Sequence, residues 1–344
     1  MTLEREQKLE NAIARLNRIK LGYTQTPLEP LPRLSAALGG PPLYIKRDDL
    51  TGLAFGGNKT RMLEFSMADA VEKGAEVIVM GAATQSNYCR QLAAACAKLG
   101  IELRLLLRPE RPVDKTEIQG NQLLQRLFGA QVTILEDNDR AKQQAAIAAE
   151  AERLRKTGRN VYVPRQPDTV DLDVIAYAES ALEIVRQCRE LGIQPQYIYA
   201  TAFDTTQAGL VLGMHYLGKP IHVRGITPTQ MPLWERQHKM MVMANAAAER
   251  LDLDIEFSEH DFDNDDSFIG ERYGIPTPEG MEAIRLLARN EGILIDPVYT
   301  GKGLSALIAY IRQGKLEKEQ PVIFLHTGGA PALFAYADEI VESL

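Results

Sequence analysis

From residue 43 to residue 325, short apolar runs rich in β-branched and aromatic residues alternate with segments of helical period, and this alternation restricts the chain to very few architectures. Strands are expected at 43–45, 76–80, 103–107, 131–135, 161–163, 197–200, 223–226 and 322–325. Helices are expected at 59–74, 88–99, 118–128, 140–156, 173–191, 206–217, 233–251, 278–290 and 303–312, with residues 331–341 closing the chain. Strands separated by helices at this spacing pair in parallel and are covered on both faces. The expected fold class is therefore α/β, with open twisted sheets in a three-layer αβα arrangement. At 344 residues the chain exceeds what one core usually supports, so two lobes or one large α/β unit are expected.

Ahead of the alternation, residues 3–18 carry Leu9, Ile13 and Leu16, followed by Ile19, at the period of a docked helix. Residues 26–32, with prolines at 27, 30 and 32, are expected to be irregular, because proline removes a donor and fixes φ. The 39 Lys and Arg against 46 Asp and Glu give a net charge of -7 without a basic run, which argues against nucleic-acid partners and leaves room for a small ligand. Three cysteines, Cys89, Cys96 and Cys188, form neither a CxxC pair nor an even framework, which disfavours disulfides and structural zinc. The amino-terminal residues are charged throughout and no apolar run approaches the ~18 residues of a membrane span. A soluble, cytoplasmic protein is expected. An acidic stretch, residues 258–267, places Asp261, Asp263 and Asp265 at calcium-loop spacing, but Asp266 stands where glycine is needed and Arg272 where the bidentate Glu belongs. A solvated acidic loop is the expectation there, and no metal site.

The hexapeptide Gly56-Gly57-Asn58-Lys59-Thr60-Arg61 delivers one lysine into the first turn of a helix. Glycines let a planar ligand approach the backbone closely. A partly desolvated lysine near a helix start has a lowered pKa and can act as a nucleophile or Schiff-base former. A loop glycine pair followed by a solvated lysine is the alternative. In open α/β sheets ligands bind beyond the carboxyl ends of the strands. Four loops at such positions, 56–60, 84–90, 201–207 and 326–329, carry polar residues able to meet one ligand.

Six collinear motifs then carry a resemblance: Arg47-Asp48-Asp49-Leu50-Thr51-Gly52, the hexapeptide above, Gln85-Ser86-Asn87, Thr206-Gln207-Ala208-Gly209, Asp296-Pro297-Val298-Tyr299-Thr300-Gly301-Lys302 and His326-Thr327-Gly328-Gly329. Running from about residue 25 to the end, the chain resembles the pyridoxal-phosphate enzymes of the 1-aminocyclopropane-1-carboxylate deaminase and D-cysteine desulfhydrase group, which have the tryptophan synthase β-like fold. The resemblance implies pyridoxal 5'-phosphate as cofactor, a homodimer, a large cofactor-binding domain of residues 1–57 and 166–344, and a small domain of residues 58–165. It implies a Schiff base and proton shuttle at Lys59, with Ser86 and Tyr299 also catalytic. Asn58, Asn87, Thr205, Thr206, Gln207, Tyr299 and Thr300 would contact the cofactor, Asn87 at its phenolic oxygen, Thr300 at the pyridine nitrogen and Tyr299 on the ring. Ser86, Asn87, Tyr88 and Tyr273 would frame a small amino-acid substrate. Read without the resemblance, Ser86 and Asn87 cap a helix, and the tyrosines are half-buried core aromatics. Where the deaminase has Glu, this chain has Thr300, which favours a neutral ring nitrogen. That points to α,β-elimination releasing a 2-oxo acid and ammonia, with the ring-opening deaminase as the alternative.

The phosphate side departs from the family pattern. Thr201-Ala202-Phe203-Asp204-Thr205 has no glycine where backbone N–H groups must close around the phosphate. A carboxylate within ~4 Å of a phosphate costs several kcal/mol even at an effective dielectric of ~20. Asp204-Thr205-Thr206-Gln207 reads as a capping box, with Asp204 capping the helix and Gln207 reaching back. Met62 stands where the family commonly has lysine. These departures keep open a ligand-binding or regulatory protein with an altered phosphate site. Tyr88 and Cys89 also differ from the pattern, and Cys89 beside Arg90 is either a lowered-pKa thiol or a plain buried cysteine.

Overall fold

In the computed structural model, which describes residues 2–344, the apolar runs become strands and the periodic segments the helices between them. The chain begins with α1 (Thr2–Ala14), β1 (Leu28–Pro30), α2 (Pro32–Leu38) and β2 (Leu43–Lys46). It continues through α3 (Lys59–Glu72), β3 (Val77–Met80), α4 (Asn87–Leu99), β4 (Glu102–Leu107), α5 (Gly120–Leu127), β5 (Gln131–Ile134), α6 (Arg140–Lys156) and β6 (Val161–Tyr162). The remainder is α7 (Val170–Leu191), β7 (Tyr197–Ala200), α8 (Thr205–Tyr216), β8 (His222–Ile226), α9 (Leu233–Arg250), β9 (Asp263–Asp265), α10 (Pro278–Glu291), α11 (Thr300–Arg312), β10 (Val322–Leu325) and α12 (Ala337–Glu342).

Among the described residues the strands make two sheets, one in the order β1-β2-β10-β7-β8-β9 and one in the order β5-β4-β3-β6. All pairings are parallel except β1 with β2. Alternate residues of each strand face opposite sides of the sheet. Ile198, Ala200, Ile323 and Leu325 enter a core with α1, α7, α8 and α9, while Tyr199, Val322 and Phe324 enter another with α2, α10 and α11. The smaller sheet behaves alike: Ile78, Leu103, Leu105 and Leu107 pack with α3 and α4, and Val77, Val79 and Leu106 with α6. The expected αβα layering is therefore present in both sheets. Among the described residues no helix is long and apolar enough to cross a membrane.

Two local expectations are overturned. Residues 28–30 of the proline-rich stretch are a strand, because an edge position asks nothing of the proline N–H it lacks; Glu29 lies opposite Ile45 and Pro30 opposite Tyr44. Pro32 then opens α2, where the first-turn amide has no helical partner in any case. The acidic stretch contributes β9 rather than remaining a loop. Its Asp263 carboxylate accepts from Arg224, and that of Asp265 from Ser267 N and the Tyr310 hydroxyl.

The two sheets are tied near residue 59 by buried charges. The Asp48 carboxylate, fully buried, accepts from Arg61 Nε (3.1 Å) and Nη2 (2.9 Å), the Tyr177 hydroxyl (2.6 Å) and the Thr26 hydroxyl (2.7 Å). Arg61 Nη1 lies 2.8 Å from Glu183 Oε2. Burial alone would raise the Asp48 carboxyl, but Arg61 and Lys46 outweigh it and hold it below the usual carboxylate range. The stabilisation is thus complete above the unfolded value near 4 and is lost as pH falls through the lower folded value. Asp48→Asn should lower the stability measured by urea unfolding by about 3 kcal/mol or more, since it strands a buried guanidinium. It should also flatten the acid branch of the stability curve below about pH 4; a wild-type urea midpoint would contradict this account.

Candidate active site

Lys59 is delivered by a backbone that runs against its usual preferences. Ala54, Phe55, Gly56 and Gly57 have φ of 50°, 67°, 69° and 131°. The last two positions require glycine: a Cβ on Gly56 would lie 1.9 Å from the Asp49 carbonyl oxygen, and one on Gly57 2.5 Å from Gln91 Nε2. The Thr51 hydroxyl closes this bend on the Gly57 amide (2.8 Å) and carbonyl (2.9 Å), and the Asn58 amide donates to the Thr327 carbonyl (3.0 Å). Lys59 then opens α3 and lines a cavity of about 290 Å³ between the sheets. The cavity is bordered by residues that follow β3, β4, β6, β7, β8 and β10, the carboxyl ends where an open parallel sheet receives ligands. Burial lowers the Lys59 pKa; Arg165 acts in the same direction, and Asp204 and Asp173 oppose it.

On one side of the lysine the donors are arranged by a buried arginine. Arg90 donates from Nη1 to Asn87 Oδ1 (2.7 Å) and Asn121 Oδ1 (2.8 Å), and from Nη2 to the Gly56 carbonyl (2.6 Å). Asn121 Nδ2 also donates to Asn87 Oδ1 (2.9 Å). With its oxygen occupied twice, the Asn87 amide has its Nδ2 donor left for the cavity it lines. Ser86 caps α4 by accepting from the Cys89 amide (3.2 Å), which leaves the hydroxyl proton to donate. Capping and ligand contact, set against each other in sequence, are thus compatible on one oxygen. Tyr273 and Tyr299 bond through their hydroxyls with rings edge to face, centroids 5.5 Å apart. Burial raises both phenols, so both are neutral at physiological pH. Arg108, which follows β4, carries its charge beside this pair.

Of the expected residues, Asn58, Lys59, Ser86, Asn87, Tyr88, Thr206, Tyr273 and Tyr299 line the cavity together. Thr205, Gln207 and Thr300 do not. Gln207 donates to the Asp263 carbonyl (2.7 Å) and accepts from Asn264 (2.6 Å), on the side of the sheet edge. The Thr300 hydroxyl donates to Asp296 Oδ2 (2.6 Å) and accepts from the Asp296 amide (2.8 Å), so its proton is committed to the start of its own helix. The Thr205 hydroxyl meets Met62 Sδ at 4.0 Å. Cys89 is fully buried with its thiol pushed up to about 12 by burial, which removes the reactive-thiol alternative. His326 accepts from the Gly328 amide (3.2 Å) and contacts the Leu294 carbonyl (3.0 Å), holding the turn rather than facing the cavity.

The expected capping box at 204–207 does not form. Gln207 turns to Asp263 and Asn264 instead of reaching back, and the Asp204 carboxylate accepts from Arg165 Nη2 (2.9 Å). Arg165 Nε lies 3.3 Å from Asp173 Oδ2, and its guanidinium stands 5.4 Å over the Tyr88 ring. Tyr88 therefore belongs to this charged end. Its hydroxyl and both Asp173 oxygens are buried without a hydrogen-bond partner. Burial raises Asp173 to about 6, while Asp204 is held low by Arg165 and Lys59 against its own burial. Arg165 has φ of 61°, which costs an L residue roughly 1–2 kcal/mol. Arg165, Asp173 and Arg108 were not named as site residues from the sequence, and Arg90 was named only as the neighbour of Cys89. The available signal for Arg165 was its place immediately after the apolar run at 161–163, a strand exit like the other four.

Comparison with known proteins places this geometry in context. The chain is 41% identical over 331 residues to the D-cysteine desulfhydrase of Salmonella typhi, covering 94% of this chain and 97% of that protein. It is 40% identical to that of Salmonella newport over the same shares. Among solved structures, that of an ACC deaminase homologue superposes with a TM-score of 0.87 at 32% identity, covering 98% of this chain and 99% of the other. Escherichia coli diaminopropionate ammonia lyase, in apo form, shares the fold at a TM-score of 0.65 and 18% identity over 98% and 91% of the two chains. Matched by the family model across residues 19–328, the chain belongs to the pyridoxal-phosphate dependent enzymes.

Proposed function

We propose that this enzyme is a lyase that removes the β-substituent of a small amino acid, as its D-cysteine desulfhydrase relatives are named for, and releases a 2-oxo acid and ammonia. The observation that carries the reading is Lys59, an amine with a lowered pKa on a glycine-shaped bend, opening into a cavity beside the free Nδ2 of Asn87. The ring-side donor set fits pyridoxal phosphate. Lys59 is an amine for its carbonyl, Asn87 a neutral donor for its phenolic oxygen, and Tyr299 an aromatic wall. The phosphate end fits less well, because Asp204 lines it and no glycine precedes α8. When bound, the cofactor supplies a carbonyl for an amine and an electron-withdrawing ring that acidifies the α-hydrogen of an amino acid.

The chain's own residues account for the remainder. Lys59 Nζ, with its charged form disfavoured by burial, serves as nucleophile and then takes the α-proton, and the electron pair left behind expels the β-substituent. The Ser86 hydroxyl donates to the substrate carboxylate from the amino end of α4, where an anion is favoured. The Tyr273–Tyr299 hydroxyl pair keeps one proton not used between them, available for the departing sulfur. Cysteine and water would balance as pyruvate, ammonia and hydrogen sulfide. We further propose the division into residues 1–57 with 166–344 and residues 58–165; it is supported by β3 to β6 falling wholly within the latter. A cytoplasmic homodimer accompanies this reading, with an expected light-scattering mass near twice the chain's 38.2 kDa.

Purified protein given pyridoxal phosphate should develop a visible absorbance band, and Lys59→Ala should abolish the band and reduce product formation at least about 10³-fold. A band retained by Lys59→Ala would refute the assignment. In a screen of D- and L-amino acids, sulfide and pyruvate should appear from D-cysteine. 2-Oxobutanoate from 1-aminocyclopropane-1-carboxylate, without sulfide from D-cysteine, would instead identify the ring-opening deaminase.

A further inference from the structure

The charged end of the cavity is already balanced by the chain itself. Asp204 stands at the amino end of α8, a helix of 12 residues whose first-turn N–H groups favour an anion there. Its carboxylate is paired with Arg165 at 2.9 Å, and Arg165 is also 3.3 Å from Asp173. With Lys59, the cluster holds two potential cations and two potential anions, and Tyr88 closes it with a neutral phenol. Arg165 keeps a positive φ in order to reach both carboxylates. Met62, fully buried against the Thr205 hydroxyl, supplies no further charge. The other arginines of the cavity wall are Arg140, which is exposed, and Arg108, which is engaged by Gln143 and Asn138 and neighbours Tyr273 and Tyr299. A phosphate entering this end would meet the Asp204 carboxylate on the cavity wall, with Arg165, the cation beside it, already paired. The sequence Thr201-Ala202-Phe203-Asp204-Thr205 likewise has no glycine to fold its amides around one.

We propose that Asp204, held by Arg165, is a built-in anion in the place of the cofactor phosphate, so that this enzyme takes the pyridoxal ring with little contribution from the phosphate and accepts pyridoxal about as readily as pyridoxal 5'-phosphate. The proposal rests on Lys59 receiving the cofactor aldehyde, as argued above. Binding is driven by the ring-side contacts of Lys59, Asn87 and Tyr299, which the two aldehydes share. Asp204 and Arg165 thereby set which form of the cofactor is preferred.

The test is a pair of titrations of the apoprotein, with pyridoxal 5'-phosphate and with pyridoxal, followed by the visible band and by dissociation constants rather than by turnover. In the wild type the two constants should lie within about tenfold of each other. Asp204→Asn, which keeps the shape and removes the charge, should tighten pyridoxal phosphate by at least about tenfold and leave pyridoxal within about threefold. The wild-type ratio requires no variant, so the outcome does not depend on whether Asp204→Asn folds. Wild-type binding of pyridoxal phosphate more than about 100-fold tighter than pyridoxal would overturn the proposal while leaving the Lys59 assignment intact. Absence of a band with either aldehyde would overturn the Lys59 assignment and this proposal with it.

Discussion

The buried pair between Arg61 and Asp48 is the interaction on which the site depends. Arg61 lies one residue beyond Thr60 in the first turn of α3, so fixing its guanidinium fixes the helix start and the direction of Lys59. Asp48 reaches it from the exit of β2, Tyr177 from α7 and Thr26 from the segment before β1. One carboxylate therefore refers the lysine to the larger sheet, its covering helix and its edge. A buried ion pair is seldom a large net source of stability, but breaking it leaves a charge without a partner, which makes it a strong selector of one arrangement over others.

Around the lysine the protein separates two kinds of polarity. The side formed by Ser86, Asn87, Tyr273 and Tyr299 is neutral and consists of hydroxyls and an amide whose free donors are specified by what already occupies their oxygens. Arg90 does this for Asn87 while also holding the Gly56 carbonyl, so it couples the glycine bend to the donor facing the cavity. The opposite end, Arg165 with Asp173 and Asp204, is ionic. Burial raises Asp173 while Asp204 is held low, because Arg165 makes its shorter contact with Asp204 and leaves Asp173 less well served.

Much of the architecture was legible because it rests on patterns with a short period. Alternating apolar residues in β7 and β10 divide between two cores, and the helical segments cover them, so two-sided α/β layering followed from the chain alone. The glycine bend was legible for the same local reason: Gly56 and Gly57 hold positive φ and have no room for a Cβ. The errors fell where a local rule competes with a distant partner. Residues 26–32 looked irregular by their prolines, yet an edge beside β2 accepts 28–30 as a strand. Asp204 looked like a cap, yet a guanidinium 39 positions earlier in the chain claims it. Thr300 looked free for a ring nitrogen, yet Asp296 takes its proton.

The sequence by itself determined the fold class, the place of the lysine and the set of loops that meet it, because apolar periodicity, glycine backbone freedom and strand exits are properties of short segments. Only the tertiary structure decided which polar atoms remain free in the cavity and where its charges are cancelled. Those outcomes depend on pairings between residues on different elements, such as Arg61 with Asp48, Asn87 with Asn121, and Arg165 with Asp204, 13, 34 and 39 positions apart. In a buried site a hydrogen bond or charge satisfied elsewhere is no longer available to a ligand, and that accounting can be closed only when every partner is in place.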